Sequence, residues 1–385
     1  MKIVFITYHN WDTRRHAGFH ALAEYACRKG CETVFFSFSR PYYSYFMKDE
    51  RLNKNVLKKL SRGVRYNVGD NQLLNVTWPT LSVKGRLRRV LPHWLNNWLD
   101  THSLSSFDKF SKKWLAGTDV FVLESNEAVL LYDKLRKCYP NAKFTYRPSD
   151  PIIDYNPFMV NDELKVVRGA DMNFIVTEEG LDLYKNAISD FEQTCKYVIL
   201  HNGIYIEDYQ KSYSRPSMMT GNKVVTYVGV EPIEWPLVIE SARRLPDADF
   251  YIITPESVSE TIKQEIKHYV NVHYIPGIYH KEVPAWITNS DVIITPLETD
   301  FYKRRKSILI SAKNLKPIAA GKPLITYSNN PKLAEYGITT TYDYNTFVEA
   351  VNTALTEGLR TYRIDLKDYD WEEIGNLFLS TLNEL

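Results

Sequence analysis

Lys313 and Lys316 stand one helical turn apart in SAKNLKPIAAGKPLI (311–325), just ahead of Gly321 and Pro323. Gly321 and Pro323 end a helix by ordinary rules: glycine takes the left-handed turn, and proline has no amide hydrogen to continue the ladder. Two accounts then fit the lysines. They suit the negative end of a helix dipole, or they offer charge to a phosphate, which a helix N-terminus also attracts. Four consecutive cations, Lys303 to Lys306, precede them in KRRKSILISAK, where a solvated basic loop is an equal account. A second candidate is Asp150 in YRPSDP, which closes an apolar run. A carboxylate there can take a proton from a hydroxyl, although Asp before Pro also commonly starts a turn. Asp154 is its substitute. His9, His16 and His20 follow the first apolar run and could serve as the base, against the structural role that a lone histidine near a helix face more often has. Asp12, Arg14 and Arg15 lie in the same loop, where a surface charge cluster is equally possible.

These groups must be positioned by alternating strands and helices. KIVFITY (2–8) reads as a buried strand, GFHALAEYACRKG (18–30) as a helix capped by Gly30, and CETVFFSFS (31–39) as the next strand, a βαβ start that implies a parallel sheet. DVFVLES (119–125), NEAVLLYDKLRKCYP (126–140) and AKFTYRPSD (142–150) repeat it, as do ADMNFIVT (170–177) and EEGLDLYKNAIS (178–189). Asn202-Gly203 marks a turn, and EDYQKSYSRPSMMTGN (207–222) reads as a polar linker. KVVTYVG (223–229), ADFYIIT (248–254), VNVHYIPG (270–277), DVIITPLE (291–298) and KPLITYS then supply a second sheet. The expected class is α/β, with two successive βα domains, a cleft between them, and ligands beyond the carboxyl ends of the strands. Residues 40–115 break the pattern with mixed aromatic and basic residues and read as an insertion.

The chain has 385 residues, enough for two domains of about 150–200 residues each. A net charge of +2 carries no nucleic-acid signature. The 27 tyrosines suit carbohydrate faces as well as cores. Cys27, Cys31, Cys138 and Cys195 make neither a CxxC pair nor a metal spacing, which points to buried thiols in a reducing compartment. MKIVFITYHN has too short an apolar run for a signal peptide, and no stretch approaches the roughly 18 apolar residues of a spanning helix. The expectation is a cytoplasmic protein, with peripheral contact to the membrane from that side as a second option. Arg86, Arg88 and Arg89 beside Leu87, Val90, Leu91, Trp94, Trp98 and Leu99 describe an interfacial segment, broken at Pro92, with a hairpin packed on its own domain as the equal alternative.

The second half resembles the C-terminal domain of GT-B-fold glycosyltransferases. The likeness runs in order through VILHNGIYIEDY, VVTYVGVEP, VHYIPGIYHKEVPAWITNSDVIITPLE, SAKNLKPIAAGKPLITY and the final DYDWEEIGNLFLSTLNEL, covering about residues 196–385. Within that fold, TRRHAGFHALAEYACRKG (13–30), FTYRPSDP (144–151) and the lysine-bearing helix are most similar to the bacterial exopolysaccharide glucuronosyltransferases of the xanthan type. The resemblance implies two Rossmann-like domains facing a cleft: 1–205 for the acceptor (with the 40–115 insertion), 206–365 for the donor, and a C-terminal helix, 366–385, returning to the first domain. It implies an inverting transfer from a UDP-sugar, with glucuronate as one possible sugar, to a lipid-linked or surface glycan, as in capsule or exopolysaccharide synthesis, with no cofactor and no metal.

In many retaining relatives two glutamates eight positions apart flank the donor helix. The matching positions here are Ile308 and Lys316, so that pattern is absent. The resemblance casts Asp150 as base, and Gly229, Glu231, Ile278, Tyr279, Glu298, Ser311, Ala312, Lys313 and Lys316 as donor-side residues. His9, Asp12, Arg14 and His20 fall on the acceptor side. The expected partners are a nucleotide-sugar donor, a glycan or lipid-linked acceptor and the inner membrane surface, with no nucleic acid. A UDP-sugar epimerase of the same fold and a non-catalytic glycan- or partner-binding scaffold remain alternatives.

Overall fold

The computed structural model describes residues 1–13, 16, 18–43, 54–83, 85–298, 310–328, 330 and 332–385, with backbone alone at Lys54, Gly85 and Arg86. Arg14, Arg15, Lys303 to Lys306 and Ile308 lie outside the described residues, as does the side chain of Arg86. The chain divides into two compact units, Met1–His201 with Ile374–Leu385, and Asn202–Glu373.

The first unit holds β1 (Lys2–Thr7), β2 (Glu32–Ser37), β3 (Arg40–Pro41), β4 (Val64–Val68), β5 (Asn71–Val76), β6 (Pro79–Thr80), β7 (Val120–Glu124), β8 (Lys143–Arg147), β9 (Met172–Ile175) and β10 (Tyr197–Ile199). Its main sheet runs β10-β9-β8-β7-β1-β2-β5-β4, parallel except for β4 against β5, while β3 and β6 pair separately. Ile3, Val4, Phe5 and Ile6 of β1 are buried on both faces of the sheet, which is why that strand reads as a continuous apolar run. The crossover helix Gly18–Arg28 buries Phe19, Leu22, Ala23 and Ala26 at helical spacing. It ends at Gly30 (φ +86°), where the Cys31 amide reaches back to the Ala26 carbonyl and the Gly30 amide to that of Cys27.

Residues 40–115 are more than an insertion. β5 lies beside β2 in parallel register, so the stretch completes the sheet. Asn71 opens β5 directly across from Val68, and Gly69 (φ +58°) supplies the left-handed position such a tight turn needs. The helices Gly85–Val90 and His93–Thr101 are interrupted at Pro92, as the sequence predicts.

The second unit carries β11 (Val224–Val228), β12 (Asp249–Ile253), β13 (Val272–Ile275), β14 (Val292–Pro296), β15 (Leu324–Tyr327) and β16 (Thr339–Thr341), all parallel in the order β13-β12-β11-β14-β15-β16. The stretch 207–222, read as a linker, is seated on this unit instead: Tyr209 and Met219 are buried in its apolar clusters. An isolated bridge joins Ile204 to Asp370, with the Ile204 amide on the Tyr369 carbonyl and the Trp371 amide on that of Ile204. These bonds tie residues 202–205 and 366–373 to the second unit, so the divisions fall at 201/202 and 373/374 rather than at 205/206 and 365/366.

From Ile374 on, the last helix (Trp371–Asn383) belongs to the first unit. Phe378 packs 5.9 Å from Phe5 and 5.0 Å from Phe174, and the Tyr25 hydroxyl donates to Asn376 Oδ1. Gly375 makes this seat possible, because a Cβ there would lie 2.3 Å from the Tyr25 ring. Gly375→Ala is expected to cost roughly 1–3 kcal/mol through overpacking, more than its gain in helix propensity. Urea denaturation reads this directly, and an unchanged or higher midpoint would contradict the seat.

Candidate functional site

In the second unit the chain runs from β11 out to β13, then returns to the other side of β11 as β14. That reversal parts the β11 and β14 loops beyond the carboxyl ends of the strands, where sheets of this kind bind ligands. A cavity of about 510 Å³ opens there, lined by Val230, Glu231, Trp235, Thr254, Glu256 and Glu298 among others. The two loops are stitched together below it: the Glu234 amide donates to the Pro296 carbonyl at 2.9 Å, and that of Glu298 to Pro232 at 3.2 Å. Gly229 starts the first loop because a Cβ would fall 2.2 Å from the Tyr227 hydroxyl. That hydroxyl donates to Glu231 Oε2 at 3.2 Å.

The lysine-bearing helix spans Ala312–Ala319. Asn314 Oδ1 takes hydrogens from the Ser311 amide (3.2 Å) and hydroxyl (2.9 Å), fixing its first turn. It stops as predicted: Gly321 (φ +64°) and Lys322 donate back to Ile318 and Pro317. Lys316 falls in the last turn, where a cation suits the dipole, but Lys313 falls in the first, where it does not. Lys313 is held by an ion pair with Glu231, at side-chain exposures of 12% and 17%. Burial pushes the Lys313 ammonium down, with Glu231 opposing. Burial would push Glu231 up, but Lys313 beside it brings its carboxyl below the usual range. Lys316 is also pushed down by burial; Glu231 offsets this in part and Lys313 adds repulsion. Among the described residues no carboxylate lies within ion-pair distance of Lys316, and Glu231 is the carboxylate whose charge acts on both lysines.

Ile278 packs partly buried, and Tyr279 stands half-exposed, its amide on Glu282 Oε2 at 2.8 Å. Glu298 is exposed at the cavity rim.

The first unit reverses in the same way between β1 and β7. Asp150 is half-buried there, its amide donating to Ser125 Oγ at 3.1 Å. Asp154 closes the short turn Ile152–Asp154, which Glu163 supports from beneath. Buried Glu163 accepts from Tyr146 (2.6 Å), Tyr184 (2.7 Å) and the amides of Ile152 (2.8 Å) and Ile153 (2.7 Å). His9 donates its amide to Thr7 Oγ1 at 3.1 Å. Asp12 is exposed. His20 is fully buried, its Nε2 2.8 Å from the Asn10 carbonyl and its ring stacked 4.6 Å from His16, which gives it a packing role in the first unit's core.

Sequence reasoning did not single out Glu124 or Arg147. Glu124 ends β7, fully buried, and burial pushes its carboxyl up to about 7 against hydrogen bonds from Thr7 and Ser149 and the charge of Arg147. Arg147 ends β8, also buried, and donates to Ser149 Oγ (3.0 Å) and the His201 carbonyl (3.3 Å). Burial lowers its guanidinium to about 10, still charged at neutral pH. The readable signal was a charged residue closing an otherwise apolar strand, since a buried charge demands partners.

Residues 5–176 match the family model for the N-terminal domain of glucuronosyltransferase GumK. A search of curated proteins finds no match. Among solved structures, the chain is similar to an α,α-trehalose-phosphate synthase (UDP-forming) from Burkholderia xenovorans in complex with glucose-6-phosphate, at TM-score 0.66 and 13% identity over all of both chains. It is similar to a structure from E. coli described as trehalose-6-phosphate bound with UDP-2-fluoro glucose, at TM-score 0.63 and 13% identity over 100% of this chain and 99% of the other. A third is a trehalose-6-phosphate synthase used to study glycosyl transfer with retention, at TM-score 0.62 and 13% identity over 100% and 99%. At such identities the likeness is one of fold.

Glu124 sets a pH dependence of stability. Its folded pKa of about 7 lies above the ordinary 4.5, so between those values the folded chain holds a proton that the unfolded chain has lost. Stability should therefore fall as pH rises from 4.5 to 7, by about 3 kcal/mol from this group. Denaturation midpoints of Glu124→Gln should lack that decline, and an identical decline in the variant would assign it to another group.

Proposed function

We infer that the chain, a GT-B-fold glycosyltransferase related through residues 5–176 to the GumK glucuronosyltransferases, moves a hexose from a UDP-sugar to a hydroxyl of a lipid-linked or surface glycan, with inversion and without a metal. The observation that carries this reading is the group of Lys313, Lys316 and Glu231 beside the cavity at the β11–β14 reversal. Lys313 is already balanced by Glu231, so Lys316 brings the spare charge to a diphosphate. In the transfer, the acceptor oxygen bonds to the anomeric carbon, the bond to the UDP oxygen breaks and its electron pair leaves with UDP. Asp150 takes the hydroxyl proton, and the lysines meet the charge growing on the leaving group.

Inversion is supported by Lys316 standing where the second carboxylate of the retaining pattern would fall. Glucuronate is supported by the family match and by the excess of cations around the donor helix.

Calorimetry with UDP, GDP and TDP, in metal-free buffer, tests the donor site. UDP should bind at roughly micromolar Kd, and Lys316→Ala should weaken it tenfold or more, about 1.4 kcal/mol. No binding of any nucleotide would sink the donor assignment. Turnover of UDP-sugar without acceptor would favour an epimerase, and full function in Asp150→Asn and Lys313→Ala would favour a scaffold.

The acceptor reading brings the protein to a membrane surface. Leu87 (53% exposed), Val90 (76%), Trp94 (70%) and Trp98 (46%) stand out from Gly85–Val90 and His93–Thr101. Arg88 turns inward to buried Asp100 at 2.8 Å, which leaves Arg89 as the exposed cation of the described side chains there. Among the described residues no helix is long and apolar enough to cross a membrane. Association should be peripheral: the protein should sediment with anionic vesicles at low salt, less so at high salt, and a Trp94→Ala, Trp98→Ala variant should stay in the supernatant. Absence of wild-type sedimentation at low salt would count against it.

A further inference from the structure

Three loops of the first unit end on one carboxylate. Glu124 Oε2 accepts from the Thr7 hydroxyl at the end of β1 and from Asn126 Nδ2, at 2.8 Å, in the loop after β7. Its Oε1 accepts from Ser149 Oγ, at 3.2 Å, in the turn after β8. Each hydroxyl is itself fed by a donor. The His9 amide points at Thr7 Oγ1 (3.1 Å) and Arg147 Nη1 at Ser149 Oγ (3.0 Å), so both hydroxyl hydrogens are turned toward Glu124. Asn126 is oriented in the same way, its Oδ1 taking the Ala128 amide at 2.9 Å. Ser125, the next residue, holds the same turn, through Asp150 by its hydroxyl and Tyr155 by its carbonyl. The charged and titratable groups around Glu124 are Arg147 from β8, Asp150 from the turn and Tyr155 beyond it; β1 and the β7 loop bring Thr7 and Asn126, which are uncharged.

We propose that Glu124 is a positioning residue for the transfer: its carboxylate holds the loop of His9 and the turn of Asp150 in register, an assignment that rests on Asp150 being the base. The three donors favour the ionised carboxylate and burial favours the neutral one, with burial the larger effect. The buried carboxyl holds its proton up to about 7, so opening the clasp to water releases that proton, and the clasp loosens as pH rises toward 7. Neither loop then moves alone, because a change at Ser149 reaches His9 through Glu124 and Thr7.

Amide hydrogen exchange on the full chain, read as protection factors of segments 7–13 and 147–155 from pH 5.5 to 8.5, tests this without any substrate. Both segments should lose protection together, tenfold or more, between pH 5.5 and about 7, and level off above it. In Glu124→Gln both should lose that pH response. Should that variant fail to fold, Ser149→Ala and Thr7→Val each remove one arm, and each should lower protection in both segments. Different pH dependences in the two segments, or a loss confined to the mutated segment, would overturn the clasp. With the donor identified by calorimetry, Ser149→Ala should lower kcat at least fivefold with KM within twofold and shift the acid limb of the kcat profile; an unshifted limb with unchanged kcat would leave Glu124 a purely structural residue and overturn the proposal. The two readings fail separately. Coupled protection with a fully active Asp150→Asn sinks the base and keeps the clasp. Uncoupled protection with an inactive Asp150→Asn sinks the clasp and keeps the base.

Discussion

A strand buried on both faces can carry almost no polar side chain along its length, so polar groups collect where it stops. In both units the strands stop together along one carboxyl edge, and in both the chain order reverses there. What the molecule does with charge follows from that constraint. Thr7, Glu124 and Arg147 end β1, β7 and β8, while Glu231 follows β11 and Glu298 follows β14. The buried ones among them are partnered at the edge of an apolar core: Thr7 meets Glu124, Arg147 meets Ser149 and the His201 carbonyl, and Glu231 meets Lys313.

The solutions differ in completeness. Glu163 has four donors within 2.8 Å and no further hydrogen to accept, which suits a support. Glu124 is met by three, near the balance between its charged and neutral forms. Around Glu231, among the described residues, two lysines lean on a single carboxylate. Breaking a buried ion pair is costly when it strands a charge, so Lys313 and Glu231 are bound to each other structurally. Lys316 has no such duty, and an arriving anion would relieve rather than disturb the folded chain.

Much of the architecture was legible. β1, β2 and β7 are largely apolar runs because both faces of the sheet are covered, and Gly30 and Gly321 mark helix ends through conformations that other residues rarely adopt. β5 was not legible: NQLLNV is half polar at its start and sits inside a basic, aromatic stretch, so its pairing with β2 is decided by tertiary contact. The seat of Tyr209 and Met219 was hidden likewise under a polar composition. At the edges, residue types spoke for themselves where they clustered, as at Lys313 and Lys316. Glu124 could be read only as a charge closing an apolar strand; its partners at positions 7 and 149 are distant in sequence, and no local spacing reveals that they share it.

The first unit is discontinuous, and this orders events during synthesis. Phe5 and Phe174 wait for Phe378, which leaves the ribosome only after all of residues 202–373 have been made. At ordinary elongation rates that is a delay of roughly 10–35 s. Throughout it one face of the nascent sheet lacks its cover, while the second unit, contiguous in sequence, can close as soon as it emerges. A chain cut short in its last dozen residues would keep every residue of its second unit and leave Phe5 and Phe174 of the first without their Phe378 cover.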